Sequence, residues 1–235
     1  IVNKGQVLQF KKLLQDGKRF GVKISYLEQS RPRGLPDAFI VGEKFIGNEN
    51  IALVLGDNFF YGQSLTDKLK KCVKLKSGCK ILLHPVSKPH LYGVAKVNKR
   101  NKVLNIIEKP SKPKSNLAVT GLYFFDNRVV NYSKQLKPSK RRELEIVDLL
   151  NKYKNKNSLN AEFLGRGGAW LDTGSIDDFY KTSAFVSAIE NRQGFKIACL
   201  EEIAFNNKWI DKKQLKRAIK FYGKCSYSDY IKRLF

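Results

Sequence analysis

The chain has 235 residues, with 45 Lys and Arg against 21 Asp and Glu, a net charge of +24. That length suits one large domain or a domain with an appendage, burying roughly 70–75% of the surface its unfolded form exposes. No segment reaches the ~18 uninterrupted apolar residues of a membrane helix and the start does not look like a signal peptide, so the expectation is a soluble, cytoplasmic protein without a membrane partner.

In chain order, residues 6–14 carry apolar positions at helical spacing and stop near Gly17, and Val22, Ile24 and Tyr26 alternate as a strand. Residues 35–45 read as a helix, 51–55 as a short apolar strand and 65–75 as a helix, a rhythm that favours a sheet covered by helices. Strands follow at 80–85, 92–97, 103–108 and 117–125, with Asn98, Lys99, Arg100 and Asn101 as a hairpin turn, so the sheet is expected to be mixed. Residues 143–154 read as a helix, 159–164 as a strand, 176–190 as a long amphipathic helix, and the last forty residues as helical.

Cysteines 72, 79, 199 and 225 form no Cys-x-x-Cys pair, His84 and His90 do not join them at zinc spacing, and all four read as reduced thiols. The excess of lysine attracts anions of any kind. Its scatter through helices and turns, without an aromatic-rich binding signature, reads as a solvated surface, and no dedicated nucleic-acid partner is expected.

Three short stretches suggest chemistry. Asp57 follows an apolar strand and a glycine, where a carboxylate either holds Mg²⁺ or caps the following turn. Asp172 sits alike before Thr173 and Gly174, where it either joins a metal site or opens a helix. Two such acids in a lysine-rich chain suggest a divalent metal binding a polyphosphate. Glu108 and Lys109 close a strand before Pro110, as an exposed pair or as a carboxylate for sugar hydroxyls beside a cation for phosphate.

Taken together, YLEQSRPRG at 26–34, LVLGDNFFYG at 53–62, Tyr92, Gly93 and Val94, Glu108, Lys109 and Pro110, AVTGLY at 118–123, RELEI at 142–146, GRGGAWLDTG at 165–174 and ENRQGFKIACLEEIA at 190–204 resemble the glucose-1-phosphate thymidylyltransferase family of sugar nucleotidyltransferases. The resemblance implies an α/β, Rossmann-like nucleotide-diphospho-sugar transferase fold. Its mixed sheet is flanked by helices, with a catalytic domain at 1–180 and a helical extension at 181–235. It implies Mg²⁺-dependent joining of dTTP to glucose 1-phosphate, with dTDP-glucose and pyrophosphate as products, at the start of dTDP-L-rhamnose and deoxysugar synthesis. Asp57 and Asp172 would ligate the metal, and Gln29 and Gly34 would line the thymine pocket. Tyr92, Gly93, Glu108 and Val119 would border the glucose, Lys109 and Arg141 would hold its phosphate, and Trp170 would pack beside them. Lys109, Asp57 and Asp172 carry the expected catalytic roles. The extension would help build a homotetramer with a regulatory nucleotide-sugar site, with Arg166, Arg192 and Glu202 near candidate surfaces.

The family begins with a strand and a Gly-Gly-x-Gly-Thr-Arg phosphate loop, which this sequence lacks. A Met-free chain opening on Ile1 therefore reads as an N-terminally truncated form missing its first strand and loop, with little transferase activity of its own. Other departures are Arg33 where an acid is common, Asp37 where an amide is frequent, and Arg142 where glycine is frequent. Uridylyl transfer and a non-catalytic sugar-nucleotide binding protein are the competing readings. A nucleic-acid binder, suggested only by charge, would show steeply salt-dependent binding.

Overall fold

The computed structural model describes residues 1–235, which divide into two compact units, Arg31–Phe179 and a second combining Ile1–Ser30 with Tyr180–Phe235. The first thirty residues begin with β1 (Val2–Asn3), α1 (Val7–Leu14) and β2 (Glu28–Gln29), β1 and β2 pairing in parallel. The strand expected over 22–26 is absent. Although its residues alternate, the Val22 N–H returns to the Gly17 carbonyl and the Ile24 N–H to the Asp16 carbonyl, folding the segment onto its own turn. Pairing begins only at Glu28.

In the unit 31–179, the helix expected over 35–45 breaks at Gly42 into α2 (Asp37–Val41) and α3 (Glu43–Ile46). Then come β3 (Ile51–Val54), β4 (Asn58–Gly62), α4 (Leu65–Val73), β5 (Cys79–Pro85), β6 (Gly93–Val97), β7 (Val103–Glu108) and β8 (Leu117–Phe125). The unit continues with α5 (Arg128–Lys134), α6 (Ile146–Asn155), β9 (Leu159–Phe163) and β10 (Gly168–Asp172). Helix α6 starts three residues later than the sequence suggests. Glu145 is its extended N-cap, with its carboxylate engaged by Ser139 and Arg141.

The sheet is mixed, in the order β7-β6-β8-β5-β9, with β3 joining along β8. Strand β5 runs antiparallel to β8 and parallel to β9. The long β8 also takes β3 antiparallel along residues 122–125 and meets β6 at Ala118. The hairpin turn between β6 and β7 is as expected: the Asn98 N–H bonds the Lys102 carbonyl at 3.0 Å, and Asn101 adopts φ 58°.

Alternation along the central strands supplies two apolar layers. Ile81, Leu83, Val119, Tyr123 and Phe125 pack with Phe39, Val129, Leu149, Leu150 and Tyr153 in the larger core. Leu82, Leu122 and Phe124 join Cys72 and Leu164, with Leu65, Leu69, Phe60 and Trp170 around them. Leu65, Leu69 and Cys72 lie at i, i+4 and i+7 of α4, one helix face turned to that layer.

Helix α7 (Ile176–Gln193) carries the chain across residue 180, and α8 (Leu200–Asn206), α9 (Lys212–Tyr222) and α10 (Ser226–Lys232) follow. Cys199, Ala204, Ile210, Leu215, Tyr230 and Ile231 form a separate core. Residues 1–30 thus group with this unit, where the sequence reading placed them in a domain 1–180. The reason is packing: Gly21, at φ 70°, lies against the Trp209 backbone, and Arg19 hydrogen-bonds Tyr222 at 3.3 Å. All four cysteines are unpaired, and no helix is long and apolar enough to cross a membrane.

Candidate active site

The two acids singled out in the sequence come together through a pairing that the sequence did not announce. β4 and β10 form an antiparallel ribbon with Asp172 opposite Asn58. One step beyond the register, the Thr173 N–H and hydroxyl both donate to the Asp57 carbonyl, at 2.7 and 2.8 Å. A Cβ placed on Gly174 would lie 3.0 Å from Asp172 Oδ1 and 4.0 Å from Asp57 Oδ2, so both carboxylates border one spot. Asp57 Oδ1 accepts from the Asn58 side-chain amide and Asp172 Oδ1 from the Gly174 N–H, each at 2.8 Å. Neither Oδ2 has a protein donor.

Asn58, which sequence reasoning passed over, is the hub of this corner. Its Oδ1 accepts from the Gly121 N–H at 3.0 Å and from Trp170 Nε1 at 2.6 Å, while its amide nitrogen donates to Asp57. Any side chain at Gly121 would collide with that amide, at 2.5–2.7 Å. The available signals were an amide directly after the acid and a glycine inside an otherwise apolar strand. Trp170, half-buried, sets its ring edge-on to Tyr92 with centroids 5.0 Å apart.

The expected sugar residues also converge. Gly93 stands opposite Glu108 in the β6–β7 register. A Cβ on Gly93 would meet Glu108 Oε2 at 3.2 Å, Val147 at 3.6 Å and Val119 at 3.8 Å, so the bare glycine leaves the carboxylate uncovered. Burial pushes the Glu108 carboxyl above its ordinary value and Glu145 adds to this, against the pull of Lys109 and Arg141. Lys109 turns sharply at φ 40° and ties its N–H to the Tyr92 carbonyl at 3.0 Å. The Tyr92 hydroxyl is raised by burial and by the fields of Asp172 and Asp178. Buried Tyr123 is raised more strongly, by burial first and then by Glu108, Cys79 and Asp57, so the sugar and acid corners share one electrostatic neighbourhood.

Arg141 is exposed and pairs with Glu145 at 2.8 Å, and Ser139 fixes the same carboxylate at 2.6 Å. It lines a cavity of about 600 Å³ together with Arg31, Arg33, Lys134 and Arg142. Two of the sequence departures answer each other: Arg33 pairs at 3.0 Å with Asp37, whose side chain is only 2% exposed. Arg142 takes φ 61°, the left-handed region that glycine enters without strain. Gly34, at φ 93°, makes room for protein: a Cβ there would overlap the Leu144 carbonyl, and the Leu144 N–H donates to the Arg33 carbonyl at 2.8 Å. Gln29 lies half-buried in β2, in the other unit. Among the remaining expected surface residues, Arg166 and Arg192 are exposed, while Glu202 accepts the Tyr230 hydroxyl at 2.6 Å, a structural contact.

No group of three or more His, Cys, Asp or Glu forms a metal cage. Two carboxylates with spare oxygens match what Mg²⁺ takes from protein when water and phosphate complete its octahedron.

The nucleotidyl transferase family model matches residues 1–189. The glucose-1-phosphate thymidylyltransferase of Neisseria meningitidis is 48% identical over 96% of this chain and 78% of its own length. That of Xanthomonas campestris is 44% identical over 96% and 76%. A solved structure from Bacillus anthracis described as a glucose-1-phosphate thymidylyltransferase superposes with TM-score 0.71 at 35% identity, over 79% of this chain and 74% of that one. A UDP-glucose pyrophosphorylase bound to UDP-glucose superposes at 0.61 with 26% identity, over 68% and 65%. The family model spans most of the chain and these relatives match nearly all of it, so the chain belongs to the nucleotidyl transferase family, among the glucose-1-phosphate thymidylyltransferases.

Proposed function

We propose that this chain's site transfers a thymidylyl group from dTTP to glucose 1-phosphate, giving dTDP-glucose and pyrophosphate, with Mg²⁺ at Asp57 and Asp172. The supporting observation is the β4–β10 ribbon, which sets two carboxylates with free Oδ2 atoms beside the Tyr92, Gly93 and Glu108 corner. A phosphate oxygen of glucose 1-phosphate attacks the α-phosphorus of dTTP. The new phosphorus–oxygen bond forms as the bond to the β-phosphate's bridging oxygen breaks, and pyrophosphate leaves with the electron pair. No protein nucleophile is needed, because positioning and charge neutralisation supply the acceleration. When bound, Mg²⁺ neutralises phosphate charge and orients the two reactants.

The chain's own groups divide the work. Glu108 accepts from glucose hydroxyls, the missing side chain of Gly93 admits the ring, and Val119 and Tyr92 border it. Lys109 and Arg141 meet the sugar phosphate, Arg141 after partly leaving Glu145. We assign the thymine edge to the backbone around Gly34. Cytoplasmic location and a homotetramer belong to the same proposal, the latter testable by light scattering.

The 235 residues contain no Gly-Gly-x-Gly-Thr-Arg run, so as a polypeptide on their own they are expected to turn over little. The test is pyrophosphate release with dTTP, glucose 1-phosphate and Mg²⁺, by this chain and by a fusion carrying a strand and a Gly-Gly-x-Gly-Thr-Arg loop ahead of Ile1. Turnover in the fusion, reduced by excess unlabelled dTTP more than by UTP in a labelled assay, supports the reading. dTDP-glucose binding without turnover in either protein would favour a binding module instead.

A further inference from the structure

A second cleft, of about 380 Å³, lies wholly within the unit formed by residues 1–30 and 180–235, and none of the site residues above lines it. One wall is the turn after α1, with Gln15, Lys18 and Arg19. The other is α9, which presents Gln214, Arg217, Ala218 and Phe221 at i, i+3, i+4 and i+7, a single helix face. Every charged residue of the lining is a cation.

Arg19 is rigidly held. Its Nη2 donates to the Leu13 carbonyl at 2.9 Å and to the Tyr222 hydroxyl at 3.3 Å, and its guanidinium lies 4.4 and 4.6 Å from the ring centres of Phe20 and Phe221. Yet Nε and Nη1 are buried and meet no acceptor. Buried donors left unpaired are costly, more so on a charged group. Arg217 is exposed and has no ion pair.

Each nearby acid already has a partner, in one case the lining residue Lys18 itself. Asp16 pairs with Lys18 at 3.2 Å, Asp211 caps α9 through the Gln214 N–H, and Glu201 accepts the hydroxyls of Tyr222 and Tyr227. The Gln214 Oε1 accepts from the Asp211 N–H, which leaves its amide nitrogen as a further donor beside the cleft.

We propose that this cleft binds a small phosphate-bearing anion, its oxygens meeting Arg217, Lys18 and the Gln214 amide, with the uncompensated positive charge of Arg19 behind them. Planar guanidinium forks suit phosphoryl oxygens, and the Phe221 ring offers apolar surface to the remainder of the ligand. Inorganic phosphate, pyrophosphate and a nucleoside diphosphate share this chemistry and separate by affinity.

The experiment is calorimetric titration of the full chain, in a Lys109→Ala background that weakens the reaction site, with inorganic phosphate, pyrophosphate and dTDP at constant ionic strength. Saturable binding of at least one is expected, and the tightest identifies the source. Arg217→Ala should weaken it at least tenfold, and Lys99→Ala, on the distant-in-sequence β6–β7 turn, should leave it unchanged. Arg19→Gln removes the charge behind the cleft and should also weaken binding, with thermal melts reporting whether the turn still folds. No saturable binding, equal affinity in Arg217→Ala, or an equal loss in Lys99→Ala would overturn the proposal. The readout is binding alone, so its failure leaves the thymidylyl reading standing.

Discussion

Two groups of acids in the unit 31–179 are treated in opposite ways. At the end of β8, Asp126 is buried and saturated: its oxygens accept from the Gly78 N–H, the Arg128 N–H and guanidinium, and the Tyr153 hydroxyl. At the β4–β10 ribbon, Asp57 and Asp172 each accept one hydrogen bond and keep Oδ2 free. An acid that holds the fold has its lone pairs filled by protein, and an acid that handles ligand keeps some open. The contrast fits a structural role for Asp126 and the ligand role proposed for Asp57 and Asp172, which sequence context does not separate, since Asp57 and Asp126 both follow apolar strands.

The contrast is open to direct tests. Removing both ribbon carboxylates, Asp57→Asn with Asp172→Asn, is expected to weaken Mn²⁺ binding in the presence of dTTP on the order of 100-fold, about 2.7 kcal/mol. Thermal stability should hardly move. Paramagnetic resonance titration reads the first and calorimetry the second, and unchanged Mn²⁺ affinity would break the comparison.

Asp126→Ala should do the reverse, costing about 1.5–3 kcal/mol of stability while leaving Mn²⁺ affinity intact. Burial alone would raise the Asp126 carboxyl, but Arg128, the Gly78 N–H and Tyr153 outweigh it and leave it below its ordinary 3.8. Its stabilisation is therefore full above that value and is lost as pH falls through the lowered one. Urea midpoints measured down the acid range should show this loss in the parent and not in the variant.

Asn58→Asp sharpens the comparison from the other side. It keeps an acceptor for Gly121 and Trp170 but removes the donor to Asp57 and adds a like charge. A loss of about 1 kcal/mol in stability is expected, with altered Mn²⁺ affinity.

The smallest effect on stability is that of Glu108→Gln. A carboxyl raised by burial destabilises the fold when ionised, and that cost disappears as pH falls, so at neutral pH the variant should melt no lower than the parent. Glucose 1-phosphate should bind about tenfold more weakly, near 1.4 kcal/mol. A lower melting temperature would place Glu108 among the structural acids.

What was legible in the sequence follows from what is local. Strand and helix periods found most of the sheet, short motifs singled out Asp57, Asp172 and Glu108 as candidates, and the family resemblance added Gly93. Long-range pairing was not legible. Residues 58–62 and 168–172 become strands only because they face each other, whereas 22–26 has the alternation but no neighbour. Arg33 and Asp37 looked like two separate departures until their ion pair showed that one neutralises the other. Asn58 drew no reading of its own, although its amide organises three partners. The glycine at 34 looked reserved for ligand, and its space is filled by Leu144.

Strand β8 has a consequence beyond holding its three neighbours. Val119, at the sugar corner, and Gly121, whose N–H fixes Asn58 and through it Asp57, are two residues apart on one strand. The β5–β8 register shifts here, from Ile81 opposite Tyr123 to Leu83 opposite Val119, so this stretch of β8 is bulged. The bulged strand thus ties the two proposed half-sites to one short piece of backbone. A one-residue slip would turn both positions to the opposite face together, so an error in threading this strand would abolish both half-sites at once.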